Sequence, residues 1–302
     1  MGRVRGIGTA RKWFRKHRIG YLLILPSCLF VLGFIIIPLF EGISLSLTTE
    51  EFGGRGAVFA GAANYVSLFR SDAAFWQAML RTLVWAIATV AIVYCTGLAL
   101  STLLNQDIRG RAIFRSLLLI PWVIPNIVVA SIWRWMYHDQ FGFINSALTG
   151  LGLISQPIQW LSDPTLAFIS VIMVFVWKYT PFMTITLLAG MQSISHDYYE
   201  AAQIDGASSF QSFLYVTLPL LKPVSITSTL LLSIWAFNHF DILYVLTGGG
   251  PSKATTLLSI EIYNRAFFSL DIGYAAAMGC VMLLGLLGFA VLYLKSYAQT
   301  AA

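Results

Sequence analysis

Residues 191–221 read MQSISHDYYEAAQIDGASSFQSFLYVTLPLL and lie between two long apolar stretches. Tyr198–Gln203 combines helix-forming residues with an apolar face, and Gly206 can adopt the positive φ that ends a helix. Ser208 or the serine after it can cap a second short helix. We expect Pro219 to close that helix, because the residue before a proline avoids the α conformation. The stretch therefore predicts a helix, a sharp turn and another short helix.

The chain around this stretch is too apolar for a soluble fold. Its 302 residues are 58% hydrophobic and 11% charged, whereas charged residues make up roughly 25% of an average soluble domain. A soluble fold of this size has no interior large enough for that much apolar surface. A bilayer accommodates it, so the composition indicates an integral membrane protein.

Six apolar stretches are long enough to cross a bilayer as helices, which requires about 20 residues each. They run approximately over 19–45, 78–104, 112–136, 164–190, 222–246 and 272–295. Only helices and closed barrels satisfy the backbone inside lipid, and the alternation of barrel strands is absent. The predicted fold class is therefore all-α and transmembrane, with six helices.

The basic residues predict the orientation of these helices. A cluster without acidic residues precedes the first apolar stretch, at Arg3, Arg5, Arg11, Lys12, Arg15, Lys16 and Arg18. Cytoplasmic ends carry such clusters, so we expect both termini and the loop 191–221 on the cytoplasmic side. The segment 138–163 has no Lys or Arg and is expected outside.

This topology predicts four parts of the chain. They are a basic cytoplasmic segment at 1–18, a first helix with a periplasmic segment at 19–76, a core of five helices at 77–295, and a C-terminal tail at 296–302. The loop 191–221 belongs to the core, but it departs from the charge pattern because it carries Asp197, Glu200 and Asp205 without a Lys or Arg. Exposed Glu200 and Asp205 offer charges to a partner protein.

The loop resembles the "EAA" signature of ABC importer permeases. The matching residues are Glu200-Ala201-Ala202, Gly206 and Val216-x-Leu218-Pro219, with Val216 where isoleucine is commoner. The longer string EAAQIDGA…LPLLKP is similar to the carbohydrate-uptake subfamily of maltose-type and glycerol-phosphate-type permeases. The strings FAGAANYVSLF (59–69), LLLIPWVIPN (117–126), VWKYTPF (176–182) and FDILYVLTGGGP (240–251) resemble the first of the two permeases in such systems.

The resemblance implies a type I ABC importer permease fold in the inner (plasma) membrane. Its coupling residues would be Glu200, Ala201, Ala202, Asp205, Gly206, Leu218 and Pro219. The short helix of the loop would insert into a cleft on a separate ATPase, with Glu200 facing basic residues and Gly206 permitting the turn. The implied partners are a second homologous permease, an ATPase dimer, a periplasmic or lipid-anchored sugar-binding protein and the membrane lipid, without nucleic acid.

The chain itself is not expected to bind ATP or another cofactor; ATP and Mg would be bound by the ATPase partner. Gly248–Lys253 is the nearest approach to a phosphate-binding loop, but it fails the required spacing and reads better as a turn at the end of a span. A membrane enzyme is disfavoured because the four histidines are scattered and no metal or nucleophile motif is present.

A first candidate site lies in the fourth span, where Lys178 sits far from both ends. Ionisable residues inside a span usually face a cavity or a partner. Pro181 should kink the helix and free carbonyls near Trp177. We interpret Lys178, Tyr179 and Thr180 as the lining of a site; the alternative is that the lysine extends to the membrane surface.

The fifth and third spans hold further candidates. In the fifth, Trp235 and His239 are four residues apart and Asn238 and Asp241 three apart, so each pair should share a helix face. Sugars stack on aromatic rings and bond to amides and carboxylates. The alternative is that the histidine is a buried structural residue. In the third, Pro121 and Pro125 bend the helix, and Trp122 and Asn126 should share one face.

The resemblance to maltose-type permeases places the sugar pathway on these same three motifs. The implied residues are Trp122, Asn126, Lys178, Tyr179, Phe182, Trp235, His239 and Asp241, to which Asn238 is added from the pattern above. The charges of Lys178 and Asp241 leave the substrate open and permit glycerol phosphate or another anionic sugar derivative, or an amino sugar.

Two questions stay open from the sequence. An ion-coupled secondary transporter, with Lys178 and Asp241 as a proton-linked pair, is the alternative of another class, although it leaves the acidic loop without a role. The outer segments 48–77 and 138–163 either contact the binding protein or serve as plain connections.

Overall fold

The computed structural model describes residues 20, 22–49, 58–107 and 109–301. The basic cluster at 3–18, which predicts the orientation, lies outside these residues. The orientation of the termini and the division into 1–18, 19–76, 77–295 and 296–302 therefore stay predictions.

The described part of the chain is mostly helical. Its helices are α1 Leu22–Ser46, α2 Ala63–Arg70, α3 Ala73–Leu104, α4 Arg111–Val123, α5 Asn126–Met136, α6 Phe143–Gly150, α7 Pro164–Gln192, α8 His196–Ile204, α9 Ser209–Phe237, α10 Asp241–Thr247, α11 Leu258–Phe267 and α12 Ile272–Ala301. Two short strands, β1 Thr48–Thr49 and β2 Val58–Phe59, pair antiparallel.

Five of these helices, α1, α3, α7, α9 and α12, are long and apolar enough to cross a membrane. Helices α4 and α5 together meet the same criterion as one broken span, which makes six. The predicted all-α transmembrane fold class is confirmed.

The chain forms two compact units. The first consists of residues up to Arg70 together with Arg265–Cys280. Within it the Asn64 side chain donates hydrogen bonds to the carbonyls of Ser46 and Thr48, at 2.9 and 2.8 Å. These bonds satisfy carbonyls at the end of α1 that lack a helical partner, so they tie α2 to the end of the first span.

The second unit, Ser71–Asn264 with Val281–Ala302, is built around α7. In the apolar window of this helix 56% of the residues are buried, compared with 28% for α3. A Cβ on Gly97 of α3 would lie 2.6 Å from Met183 Cγ, and one on Gly190 would lie 2.7 Å from Leu221 Cδ1 of α9. Glycine at these positions allows the close helix packing that is common in membrane proteins.

The third span breaks where the sequence predicts only a bend. Ile124 is extended (φ −64°, ψ 133°) because it precedes Pro125, and α4 and α5 meet at 95°. Pro121 lies inside α4 without ending it. Trp122 and Asn126 therefore lie on different helices, and the prediction that they share one helix face is wrong.

Pro219 does not close a short helix, contrary to prediction. Helix α9 continues from Ser209 through the proline to Phe237 by way of a π turn at Phe213–Thr217. In that turn the Leu218 N–H bonds to the Phe213 carbonyl, five residues back. The wider turn relieves the clash that a proline makes with the carbonyl of the preceding turn.

The predicted fifth span, 222–246, is shifted toward the N-terminus. The helix begins at Ser209, inside the predicted loop, and ends at Phe237. Asn238, His239 and Phe240 connect it to the separate helix α10. The predictions that Trp235 shares a helix face with His239, and Asn238 with Asp241, are therefore wrong. All four residues nevertheless line the same cavity.

Candidate functional site

A cavity of about 470 Å³ opens in the second unit where two helix breaks lie beside α7. Its lining residues are Trp122, Asn126, Lys178, Tyr179, Trp235, Asn238, His239, Phe240 and Asp241. The structure thus brings together the residues predicted from three separate sequence motifs, apart from Phe182 and Thr180, and adds Phe240. Thr180 is buried and lies 3.1 Å from Thr96 Oγ1 of α3 instead of lining the cavity.

The two breaks place a polar pair at the cavity. Asn126 is the first residue of α5 and Asp241 the first residue of α10. The Asn126 Nδ2 donates a hydrogen bond of 3.0 Å to Asp241 Oδ2. Asp241 is exposed, and a carboxylate at a helix N-terminus is stabilised by the helix dipole. The pair therefore presents a fixed, charged acceptor to the cavity.

Lys178 reaches the cavity from α7 but is only 4% exposed. Its Nζ donates to the carbonyls of Ile124 (2.6 Å), Trp122 (3.2 Å) and Pro121 (3.4 Å). The alternative that this lysine extends to the membrane surface is wrong. Its partners belong to the broken third span. They are not the Trp177 carbonyl, which Pro181 leaves without its helical donor although α7 continues through the proline.

An aromatic wall lines one side of the cavity. Phe182 stacks with Trp122 at a centroid distance of 6.0 Å and packs against Trp235 at 4.8 Å. It supports these two rings from behind rather than lining the cavity itself. Phe240 also lines the cavity, although it was not among the predicted residues. Its place between the two candidates His239 and Asp241 was the sequence signal that could have identified it.

His239 is 5% exposed and enclosed by aromatic rings. It stacks on Trp85 at 6.2 Å and meets Phe175 edge-on at 4.9 Å. Within the described part of the chain, its Nε2 has no hydrogen-bond partner. The sequence carries no signal for Trp85 or Phe175, because they lie on α3 and α7 and reach His239 only through the packing of these helices.

A second candidate site is the predicted coupling loop, residues 195–219, for which the name coupling loop is kept below. Ser195 caps α8, and Gly206 follows its end with φ +80°. The Ala207 N–H bonds to the Ala202 carbonyl and the Gly206 N–H to the Gln203 carbonyl. These two hydrogen bonds form a Schellman motif. The motif requires the left-handed conformation, which glycine adopts without strain.

The second half of the loop begins α9. Ser208 caps this helix through a capping box with Gln211, as one of the two predicted caps. The Tyr199 hydroxyl of α8 lies 3.0 Å from Oγ1 of Thr217, which is in the π turn of α9. This hydrogen bond joins the two helices. The two helices and the turn between them are therefore held as one element, although the second helix is far longer than predicted.

The loop exposes both charged and apolar side chains. Glu200 is exposed, 3.7 Å from His196 on the same helix. Ile204 is 86% exposed and Tyr215 76% exposed. The other predicted coupling residues are Ala201, Asp205 and Pro219, which are exposed, and Ala202 and Leu218, which are half-buried. Neither this loop nor the cavity contains a group of His, Cys, Asp and Glu that can hold a metal ion among the described residues.

Residues 97–295 match the protein family described as binding-protein-dependent transport system inner membrane component. The chain belongs to this family. It is 40% identical over 288 residues, 95% of its length and 96% of the relative's, to the trehalose/maltose transport system permease protein MalF of Thermococcus litoralis. It is 34% identical over 281 residues, 90% of its length and 89% of the relative's, to the sulfoquinovosyl glycerol transport system permease protein SmoG of Agrobacterium fabrum.

A solved structure supports the fold independently. A chain of a bacterial alginate ABC transporter, in complex with an alginate pentasaccharide-bound periplasmic protein, superposes with a TM-score of 0.79 at 22% identity, covering 93% of this chain and 94% of that one. The permease is thus a multi-pass inner-membrane subunit of a carbohydrate-uptake ABC importer, a transporter subunit rather than an enzyme. The resemblance read from the sequence is confirmed.

Proposed function

We propose that this permease forms half of the translocation pathway of an ATP-driven sugar importer and that its cavity contacts the sugar in transit. The observation that carries the proposal is the convergence of aromatic rings, an amide and a carboxylate around about 470 Å³. Ligand sites for small molecules typically measure about 300–1,000 Å³. A volume in this range holds a mono- or disaccharide.

The lining residues offer a sugar two kinds of contact, aromatic ring faces and a hydrogen-bond acceptor. Trp122 and Trp235 offer ring faces to the apolar faces of a pyranose. Asp241 accepts a hydrogen bond from Asn126 through one oxygen, and its other oxygen is available to a sugar hydroxyl. Hydrogen bonds to a charged acceptor are worth about 1.5–3 kcal/mol, so this carboxylate is the strongest single polar contact that the cavity offers.

The balance of charge in the cavity favours an uncharged sugar. The three donors of the Lys178 ammonium are directed at three carbonyls, whereas the Asp241 carboxylate is exposed. An anionic sugar derivative is the second candidate, supported by the similarity to the sulfoquinovosyl glycerol permease. For such a substrate the exposed carboxylate would be repulsive.

The coupling loop is the proposed docking site of the ATPase. Exposed Glu200 offers a charge, and exposed Ile204 and Tyr215 offer apolar surface, to a cleft on that partner. Because α9 begins in the loop and ends beside the cavity at Phe237, a movement of the docked loop is transmitted along one continuous helix. ATP and Mg are bound by the ATPase dimer in this proposal, and not by the permease.

The complete transporter contains two further partners in this proposal. A second, homologous permease supplies the other half of the pathway. A periplasmic or lipid-anchored binding protein delivers the sugar, as the alginate transporter is bound to a periplasmic protein in its solved structure.

The test is transport by the reconstituted complex. The sugar is first identified from the binding protein encoded beside the permease, whose melting temperature rises with its ligand. The permease, the second permease, the ATPase and the binding protein are then placed in proteoliposomes with labelled sugar. We expect uptake only with ATP on the ATPase side and no effect of an uncoupler. Uptake without the ATPase, driven by an ion gradient, would overturn the proposal in favour of secondary transport.

A further inference from the structure

We propose that Lys178 is a positioning residue rather than a cationic contact for an anionic substrate. Its three hydrogen bonds to backbone carbonyls, which we call the clasp, hold the broken third span against α7 and so keep the walls of the cavity in place. The inference rests on the proposed function for its transport readout and on geometry alone for its structural readout.

The break in the third span creates the need for a clasp. Carbonyls in the last turn of a helix lack intrahelical partners, and the chain beyond α4 leaves at 95° instead of continuing. In the interior of a membrane protein such carbonyls must be satisfied by protein groups or by water in a cavity. The carbonyls of Pro121, Trp122 and Ile124 are in this position.

Lys178 matches this need in number and in charge. An ammonium group has three N–H donors and no acceptor, and Lys178 directs them at these three carbonyls. A positive charge at a helix C-terminus is also favoured by the helix dipole. Among the described residues, Lys178 has no carboxylate within ion-pair distance. The three carbonyls and the face of the Tyr179 ring, whose centroid is 5.9 Å from Nζ, compensate its buried charge.

The clasp has direct consequences for the cavity. Trp122, which contributes one of the bonded carbonyls, is a cavity wall, and Asn126 starts the helix just beyond the clasp. Asn126 in turn holds Asp241 through its 3.0 Å hydrogen bond. Loss of the ammonium therefore disturbs the wall and the acceptor together, whatever the charge of the substrate.

The structural test measures hydrogen–deuterium exchange of the assembled transporter without sugar or ATP. In Lys178→Met we expect the backbone amides of residues 119–128, apart from the two prolines, to exchange about tenfold faster or more, because three charge-assisted hydrogen bonds are lost. Lys178→Arg, which keeps a cation with several donors, should restore part of the protection. If Lys178→Met does not assemble, Lys178→Gln, with two donors on a shorter side chain, should show an intermediate rate. Exchange equal to that of the wild type in the neutral variants would overturn the proposal.

The transport test compares one uncharged and one anionic sugar derivative in proteoliposomes. We expect Lys178→Met to raise KM by a similar factor, about tenfold, for both members of a pair that the wild type carries. A selective loss of the anionic substrate would show instead that the ammonium binds it, and would overturn the proposal. Because the exchange measurement needs no substrate, its failure is distinguishable from a failure of the proposed transport function.

Discussion

Asn126 and Asp241, 115 positions apart in the chain, are joined by a hydrogen bond from Nδ2 to Oδ2 of 3.0 Å. Each is the first residue of a helix that follows a break, α5 after Pro125 and α10 after Phe240. The bond therefore connects two helix breaks and places an oriented carboxylate at the mouth of the cavity.

Removing this carboxylate should weaken sugar transport. We expect Asp241→Ala to raise KM about 10- to 100-fold, because a hydrogen bond to a charged acceptor is lost. Asp241→Asn, which keeps the shape of the side chain, should have a smaller effect. The measurement is uptake against sugar concentration in proteoliposomes. Asp107, whose side chain is 99% exposed in an i,i+4 pair, provides the matched control as Asp107→Ala. An unchanged KM in Asp241→Ala would remove this residue from the pathway.

The turn of the coupling loop should depend on Gly206. Nothing lies within 4 Å of a Cβ built there, so a side chain acts through the φ of +80° alone. A left-handed conformation costs a non-glycine residue about 1–2 kcal/mol, and more when it is β-branched. We expect Gly206→Val to reduce uptake about tenfold or more at an unchanged level of inserted permease.

Gly152 supplies the control for that variant. It too has a positive φ, +70°, with nothing within 4 Å of a Cβ, but it follows α6 and lies outside the coupling loop. Gly152→Val carries a comparable backbone penalty, so it should leave the amount of ATPase that co-purifies with the permease intact, whereas Gly206→Val should lower it. Equal losses in both variants would show that the effect on uptake comes from general destabilisation.

Charge reversal at Glu200 should weaken docking of the ATPase. Glu200 is exposed, so Glu200→Lys changes the surface that the partner meets without disturbing a buried contact. We expect the amount of ATPase that co-purifies with the permease to fall about tenfold, and more at low salt, because charges at an interface act through screened attraction. Asp139→Lys, in the segment between α5 and α6, is the control; this carboxylate is half-buried and lies 3.2 Å from His138 Nδ1. Undiminished co-purification would contradict a role of Glu200 in docking.

Close packing of α3 on α7 should depend on Gly97. A Cβ there would lie 2.6 Å from Met183 Cγ and 3.2 Å from the Thr184 backbone nitrogen, which cannot move freely. Gly97→Val should destabilise the permease by about 1–3 kcal/mol, as overpacking does. The melting temperature of the assembled transporter in detergent measures the effect. Gly285→Val in α12, where nothing lies within 4 Å of a Cβ, should melt close to the wild type.

The motifs predicted the cavity residues better than they predicted the helices that carry them. Trp235, Asn238 and Asp241 line one cavity, as expected, but they do so across the end of α9 and the start of α10. Helix faces read from spacing assume an uninterrupted helix. That assumption fails here because a proline displaces the residue before it from the α conformation at Ile124, and because α9 begins 13 residues earlier than the predicted 222 and ends at Phe237.

The opposite error occurred at Pro219, where the same local rule predicts a helix end. The π turn at Phe213–Thr217 lets the helix pass the proline, and Leu32–Ile36 does the same ahead of Pro38 in α1. A proline alone does not distinguish a break from a wide turn.

The sequence by itself determined the class of protein and its family, because long apolar runs can cross a bilayer only as helices and because the Glu200–Pro219 motif is specific. It also named most of the cavity. Only the tertiary structure decided what Lys178 does, since its partners are carbonyls 54 to 57 positions away that are freed by a break in another span. A side chain's type can be read from the sequence, but the groups that satisfy it depend on how separate helices end and pack beside it.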